Sequence, residues 1–109
     1  MEFSKEEFEN ASTIFLADEL VHLERCECLI GIVLKGLLSV GDKLICFSKN
    51  KEIVCKVKGI EKHKQYRLKK ANKGDVVGLK IKCKNSDEIK KDDYFIIPGK
   101  TNTSSKIKK

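Results

Sequence analysis

Apolar and polar residues alternate along most of the chain, which is the pattern of β-strands with one buried face. In residues 53–58 the apolar face is Ile53, Cys55 and Val57, and in residues 79–84 three lysines alternate with Leu79, Ile81 and Cys83. Apolar, strand-forming segments predict further strands at 15–24, 26–35, 43–48, 65–70 and 94–97. Turn residues separate these segments, at Gly41-Asp42, 48–51 and 72–75. Several short strands at this spacing predict an all-β fold, either a closed barrel or a sandwich.

The two ends of the chain depart from this pattern. Ser4 with Glu7 fits a helix capping box, and Phe3 with Phe8 fits a hydrophobic staple, so residues 1–14 are predicted to be an arm with a short helix. We expect the arm to dock both phenylalanines on the strand domain, residues 15–99. A single helical turn is predicted over residues 86–91, and residues 100–109 have too few apolar side chains to fold and are predicted to be a disordered basic tail.

Length and composition narrow the class of protein. A chain of 109 residues fits one domain, and it contains no apolar run of the roughly 20 residues that a membrane helix needs. Its acidic first residues lack the features of a signal peptide. Five cysteines, an odd number, are interpreted as reduced thiols. A cytoplasmic protein without a membrane partner is therefore expected.

Charge is distributed unevenly. Residues 1–28 carry a net charge of −6 and residues 29–109 a net charge of +13, which suggests an anionic partner for the later part. The most basic stretch provides the candidate nucleic-acid-binding residues Lys62, Lys64, Arg67, Lys69, Lys70 and Lys73. Tyr66 either stacks on a base or packs inward beside Leu68. Because 21 of the 23 basic residues are lysine, a merely solubilising surface is the alternative.

The sequence gives little support for nucleotide binding, metal binding or catalysis. Gly36 and Gly41 have the spacing of a phosphate-binding loop, but Asp42-Lys43 follows where Lys-Ser/Thr is required, so no nucleotide is expected. His22, Cys26 and Cys28 lack the spacing of a zinc site, and the cysteines are interpreted as core residues. A redox or metal role for Cys26 and Cys28 is the weaker alternative. We predict no catalytic residue, metal or cofactor, and hence a binding protein.

Three segments resemble the second domain of the translational GTPases, which include elongation factors Tu and G and initiation factor 2. They are residues 31–44, with Gly31, Gly36, Gly41 and Asp42; residues 71–79, with Gly74 and Gly78; and residues 87–93. The resemblance covers residues 15–98 and implies a closed barrel of six to seven strands. It also implies that Gly36 permits a bend, that Leu38 and Val40 plug the barrel, and that Gly41-Asp42 turns tightly.

The chain also departs from the family pattern. Cys26 follows Arg25 where the family carries glycine, and Asp92 replaces a turn glycine, which implies a left-handed aspartate or a different turn. In the family this barrel holds aminoacyl-tRNA ends or touches ribosomal RNA beside a GTPase domain, for which 109 residues leave no room. We therefore expect a stand-alone, non-catalytic barrel that binds RNA or the ribosome through its lysine-rich face. A protein-interaction module that partners a GTPase or another enzyme is the alternative.

Overall fold

The computed structural model describes residues 5–24, 26–48, 51–62, 65–83, 89–90 and 92–99. These ranges contain one helix and nine strands: α1 (Lys5–Asn10), β1 (Thr13–His22), β2 (Glu27–Lys35), β3 (Leu37–Ser39), β4 (Lys43–Ser48), β5 (Lys51–Lys62), β6 (Gln65–Leu68), β7 (Lys70–Asn72), β8 (Val76–Lys82) and β9 (Tyr94–Ile97). Most of the predicted turn at 86–91 and the whole predicted tail lie outside the described residues. No helix in these ranges is long and apolar enough to cross a membrane.

Six strands close into a barrel in the order β4-β9-β1-β2-β8-β5, with β5 pairing back to β4. Each of these pairings is antiparallel. Strand β6 pairs with the C-terminal end of β5. Strands β3 and β7 pair in a separate two-stranded sheet. The predicted closed barrel of six to seven strands with a short N-terminal helix is confirmed.

The barrel is filled by the faces that the alternating pattern predicts. Ile53, Cys55 and Val57 are buried on β5, and Leu79 and Ile81 are buried opposite them on β8. Two aromatic rings add bulk where β1 meets β9, because Phe15 and Phe95 are directly paired and fully buried. Full burial of such side chains stabilises a fold by roughly 1.5–3 kcal/mol each.

Several predicted details are corrected by the structure. Leu38 is buried as expected, but Val40 is 43% exposed, because it lies in the turn that follows β3. The predicted strand at 65–70 is split into β6 and β7. Cys28 lies on the outer face of β2, since the buried residues of that strand are Leu29, Gly31 and Val33. The prediction that every cysteine packs in the core is therefore wrong for Cys28.

Helix α1 packs against the barrel where β1 and β9 meet. The ring of Phe8 stands edge-on to the ring of Tyr94, with centroids 5.2 Å apart and planes inclined by 81°. The Lys35 ammonium donates a hydrogen bond to the carbonyl oxygen of Glu9 at 3.0 Å. Docking of the arm is thus confirmed for Phe8, while Phe3 lies outside the described residues.

Candidate nucleic-acid interface

A basic groove of about 720 Å³ opens on the outside of the barrel, where β5, β6 and β8 lie side by side. Its basic side chains are Lys58, Arg67, Lys69 and Lys80. Its apolar lining includes Leu68, which is half-buried, and Val40. The groove therefore combines apolar and cationic side chains.

Two irregularities in strand pairing shape this groove. The register between β5 and β8 shifts between Val57 and Gly59, which leaves Lys58 as an extra, exposed residue. A second shift, between β5 and β6, accompanies the left-handed backbone of Arg67, whose φ is 63°. Bulges redirect side chains out of the regular alternation, and a bulky residue with positive φ is uncommon. Both irregularities place basic residues in the lining of the groove.

The Lys80 side chain crosses the groove over Gly59. The Lys80 stem lies against Gly59, where an added Cβ would be in ordinary van der Waals contact with Cδ of Lys80, at 3.6 Å. The Lys80 ammonium then reaches the Glu61 carboxylate at 3.1 Å. Glu61 offsets one of the four basic charges, and three remain to attract an anion. Because this ion pair is largely exposed, it adds little to stability.

A row of three lysines continues this basic surface across the barrel. Lys56 of β5 is the direct cross-strand partner of Lys43 on β4 and of Lys82 on β8, and all three side chains are exposed. Like charges in directly opposed positions destabilise a sheet. Within the described part of the chain, none of the three has a carboxylate within salt-bridge distance. The row is thus an unneutralised cationic stripe.

The predicted binding residues fall into two places. Arg67 and Lys69 line the groove. Lys62 lies 3.4 Å from the Asp75 carboxylate, while Lys70 on β7 and Lys73 in the next turn are exposed. Lys64 and the side chain of Tyr66 lie outside the described residues. Of the five predicted residues that the structure describes, Arg67 and Lys69 lie in the groove.

Sequence reasoning missed the bases of strands β4, β5 and β8 as part of a surface: Lys43, Lys56, Lys58, Lys80 and Lys82. The signal was present, because the lysines of β5 and β8 alternate with apolar residues and so face outward. The alternating pattern does not show which strands are neighbours. The adjacency of β4, β5 and β8 places these lysines side by side.

Three turns that lead into strands have the same pattern of hydrogen bonds. In the turns 39–42, 72–75 and 90–93, the last residue is an aspartate whose carboxylate accepts the backbone N–H of the first. Its own N–H donates to the carbonyl oxygen of that first residue. The third residue has positive φ, and it is Gly41, Gly74 or Asp92. The left-handed aspartate implied by the sequence is thus confirmed at Asp92, where φ is 70°.

One of these carboxylates also faces the basic surface. The Asn72 N–H donates to Asp75 at 2.8 Å, and with the Lys62 ammonium nearby it lowers the pKa of the Asp75 carboxyl. Asp75 therefore remains charged and holds Lys62 beside the turn that carries Lys73. Asp42 has the equivalent bond, from the Ser39 N–H.

The remaining motif glycines permit close approach of strands. A Cβ at Gly31 would lie 2.0 Å from the carbonyl oxygen of Leu16, and one at Gly36 would lie 1.9 Å from that of Ser12. Gly78 faces the Cys28 thiol, at 3.3 Å from the position of a Cβ. These residues close the barrel and contribute no side chain to the basic surface.

His22, Cys26 and Cys28 are the residues considered above as zinc ligands. His22 lies 3.6 Å from Glu27, while Cys28 is half-buried and burial raises the pKa of its thiol. Among the side chains that the structure describes, no three histidine, cysteine, aspartate or glutamate residues form a group that could hold a metal ion.

A row of apolar side chains crosses the outer surface of β9, β1, β2 and the start of β8. Leu16 of β1 is paired with Tyr94 of β9 and with Ile32 of β2, which is paired with Val76 of β8. Tyr94 is 42% exposed and Val76 is 58% exposed. This apolar row lies outside the barrel core and adjoins the ring of Phe8.

Six antiparallel strands closed around an apolar core define a small β-barrel of the translation-protein type. A family model described as elongation factor Tu domain 2 matches residues 27–94, more than half of the chain. The chain belongs to the elongation factor Tu domain 2 family.

Among solved structures, the chain is similar to translation elongation factor SelB from Methanococcus maripaludis in its apo form. The TM-score is 0.69 and the sequence identity 23%, over 78% of this chain and 18% of that protein. The chain thus spans less than a fifth of its structural relative, and the likeness concerns the fold. A search of curated proteins gives no match.

Proposed function

We propose that this barrel binds RNA or a ribonucleoprotein through its lysine-rich face and carries out no catalysis. The observation that carries the proposal is the continuous cationic surface that the groove forms with the row Lys43, Lys56 and Lys82. Membership of a translation-factor domain family supports it, because domain 2 of the translational GTPases is non-catalytic. A cytoplasmic location, where translation takes place, is part of the same proposal.

The geometry suits a single strand of RNA. Lysine and arginine side chains neutralise phosphates, which supplies most of the affinity of binding without sequence selectivity. The exposed Val40 and half-buried Leu68 in the groove offer apolar surface to a base or a ribose. Lys62, Lys70 and Lys73 extend the proposed surface beyond the groove, and Lys64 stays a predicted contact outside the described residues.

The experiment is a titration of fluorescently labelled single-stranded RNA at several salt concentrations. Log affinity should fall with log salt by about 0.7 per phosphate contacted. The triple variant Lys43→Gln/Lys56→Gln/Lys82→Gln should flatten the slope by about 2 if all three contact phosphate. The groove variant Lys58→Gln/Arg67→Gln/Lys69→Gln should weaken binding similarly.

A matched control separates a binding surface from the effect of net charge. The variant Lys5→Gln/Lys35→Gln/Lys90→Gln removes the same charge from α1, β2 and the turn before β9. It should retain the parent's salt slope. An equal loss of affinity in all three variants, or no loss in any, would contradict the proposal.

A protein-interaction module is the second candidate, and the apolar row Tyr94, Leu16, Ile32 and Val76 favours it. Rows of partly exposed apolar side chains on a sheet are features of interaction sites. A Val76→Lys/Ile32→Lys variant should lose a protein partner and keep its RNA affinity. Absence of RNA binding by the parent at low salt would leave this second function as the better one.

A further inference from the structure

Three thiols lie together at one corner of the barrel core, on β4, on β5 and directly after β8. Cys46 and Cys55 are fully buried, and Cys83, directly after β8, is half-buried and packs against the same core. The Cys46 thiol is 3.7 Å from the Asp93 carboxylate. None of these thiols takes part in the proposed RNA surface.

The backbone places Cys55 and Cys83 opposite each other. Val57 is paired with Ile81 and Lys56 with Lys82, so the next position along each strand sets Cys55 against Cys83. Val57 and Ile81 are both buried, and the residues two positions further point to the same face. Directly opposed residues in antiparallel strands have Cα atoms about 4.5–5.5 Å apart, which is within the span of a disulfide.

The ladder between β5 and β8 ends at the pair Lys56–Lys82. Cys83 therefore lies one position beyond the last pair of this ladder. In its thiolate form, Cys83 would accept a hydrogen bond from the Cys55 thiol, and this couples the ionisation of the two groups.

The two thiols differ in reactivity. The hydrogen bond from Cys55 lowers the pKa of Cys83, whereas the same bond and burial raise the pKa of Cys55. Burial, with the neighbouring Asp93 carboxylate, raises the pKa of Cys46 to about 12. The nucleophile in thiol oxidation is the thiolate. Cys83 is also the most accessible of the three, and it is thus the thiol expected to react first with an oxidant.

We propose that Cys83 and Cys55 form a thiol-oxidation site that closes to a reversible disulfide on exposure to a peroxide. The Cys83 thiolate attacks one oxygen of hydrogen peroxide, the O–O bond breaks, and the products are a sulfenic acid and hydroxide. The Cys55 thiol passes its proton to the hydroxyl of the sulfenic acid as the Cys55 sulfur attacks the Cys83 sulfur. The S–O bond breaks, the S–S bond forms, and water leaves. A thiol reductant restores both thiols by exchange.

This pair differs from the one that the sequence suggested. Cys26 and Cys28 lie on one side of the barrel wall, near the start of β2, and burial and Glu61 raise the pKa of Cys28. A bond between them would join positions two residues apart. The Cys55–Cys83 bond would join two strands, β5 and β8, beside the lysine row.

The experiment treats the reduced, purified protein with a small molar excess of hydrogen peroxide. Free thiols counted in denaturant should fall from five to three, because one disulfide consumes two. The mass should fall by two hydrogen atoms, and peptide mapping without reduction should join the peptides of Cys55 and Cys83. Dithiothreitol should restore all five thiols.

Variants make the assignment specific. Cys83→Ser, at a half-buried position, should leave all four remaining thiols free after the same treatment. Cys26→Ser/Cys28→Ser should still lose two. Retention of five thiols by the parent protein, or a bridge that maps to another pair, would overturn the proposal. Mapping of the parent protein decides the question even where a variant fails to fold. The result does not depend on RNA binding.

Discussion

Replacing Gly36 by alanine should destabilise the barrel much more than the same change at Gly41, although both glycines have positive φ. Gly36 has a φ of 75°, and its added Cβ would lie 1.9 Å from the carbonyl oxygen of Ser12 and 3.0 Å from the Thr13 hydroxyl. Gly41 has a φ of 99°, and an added Cβ would have no heavy atom within 4 Å. The pair therefore separates the backbone cost from the steric cost.

The magnitudes follow from these two environments. A left-handed alanine costs about 1–2 kcal/mol, and the reduced entropy of the unfolded chain offsets about 0.4–1 kcal/mol of it. Gly41→Ala should therefore lower the free energy of unfolding by about 1 kcal/mol. Gly36→Ala carries the same cost and also forces the start of β1 aside, which adds roughly 1–3 kcal/mol as overpacking does.

The start of β1 has little freedom to move. The Ser12 N–H donates to the Ile97 carbonyl oxygen at 2.8 Å, and the Thr13 hydroxyl donates to that of Leu37 at 2.6 Å. Displacing this segment by more than an ångström would break the pairing of β1 with β9. The steric cost should therefore appear as lost stability and not as a harmless local shift.

The assay is urea denaturation followed by far-ultraviolet circular dichroism, because the chain has no tryptophan. Equal slopes with different midpoints would attribute the change to stability. Gly36→Ala should unfold at clearly lower urea than Gly41→Ala. Equal midpoints for the two variants would refute the close contact between Gly36 and Ser12.

Two further predictions concern the aspartate turns. Asp92→Gly should raise the free energy of unfolding by about 0.5–1 kcal/mol, because glycine relieves the left-handed strain. The glycine keeps the 2.8 Å hydrogen bond from the N–H of residue 92 to the carbonyl oxygen of Ala17. A urea midpoint at or below the parent's would contradict this. Asp75 has a lowered pKa, so its stabilisation is complete above about pH 4 and is lost as the pH falls through the folded-state value. Asp75→Asn should flatten the acid limb of the stability profile, as measured by thermal unfolding from pH 6 to pH 2, and an unchanged limb would refute the assignment.

The inward faces of the strands could be predicted from the sequence because alternation is a local property. Leu79 and Ile81 are buried and Lys82 is exposed, as the pattern requires. Asp92 is a similar case, since its place in a turn motif that normally uses glycine implies either positive φ or a different turn, and the structure has positive φ. In each case the deciding information lies within a few residues of the position concerned.

The basic surface could be predicted only in part. The composition of the stretch around Arg67 indicates a basic surface. The groove also needs Lys58, which a bulge exposes, and Lys80, which lies on a different strand, β8. Strand adjacency and bulges depend on how the whole barrel closes. The oxidation pair was missed for the same reason, because Cys55 and Cys83 become neighbours only through the register of β5 and β8.

The closure of the barrel by β9 has a consequence for folding kinetics. This strand joins β1, formed about 80 residues earlier, to β4, which it meets at the pair Ile45–Ile96. Contacts between such distant segments form late and slow the folding of β proteins. During synthesis, one edge of β1 and one edge of β4 therefore remain unpaired until Tyr94–Ile97 has left the ribosome. The barrel can close around its apolar core only then.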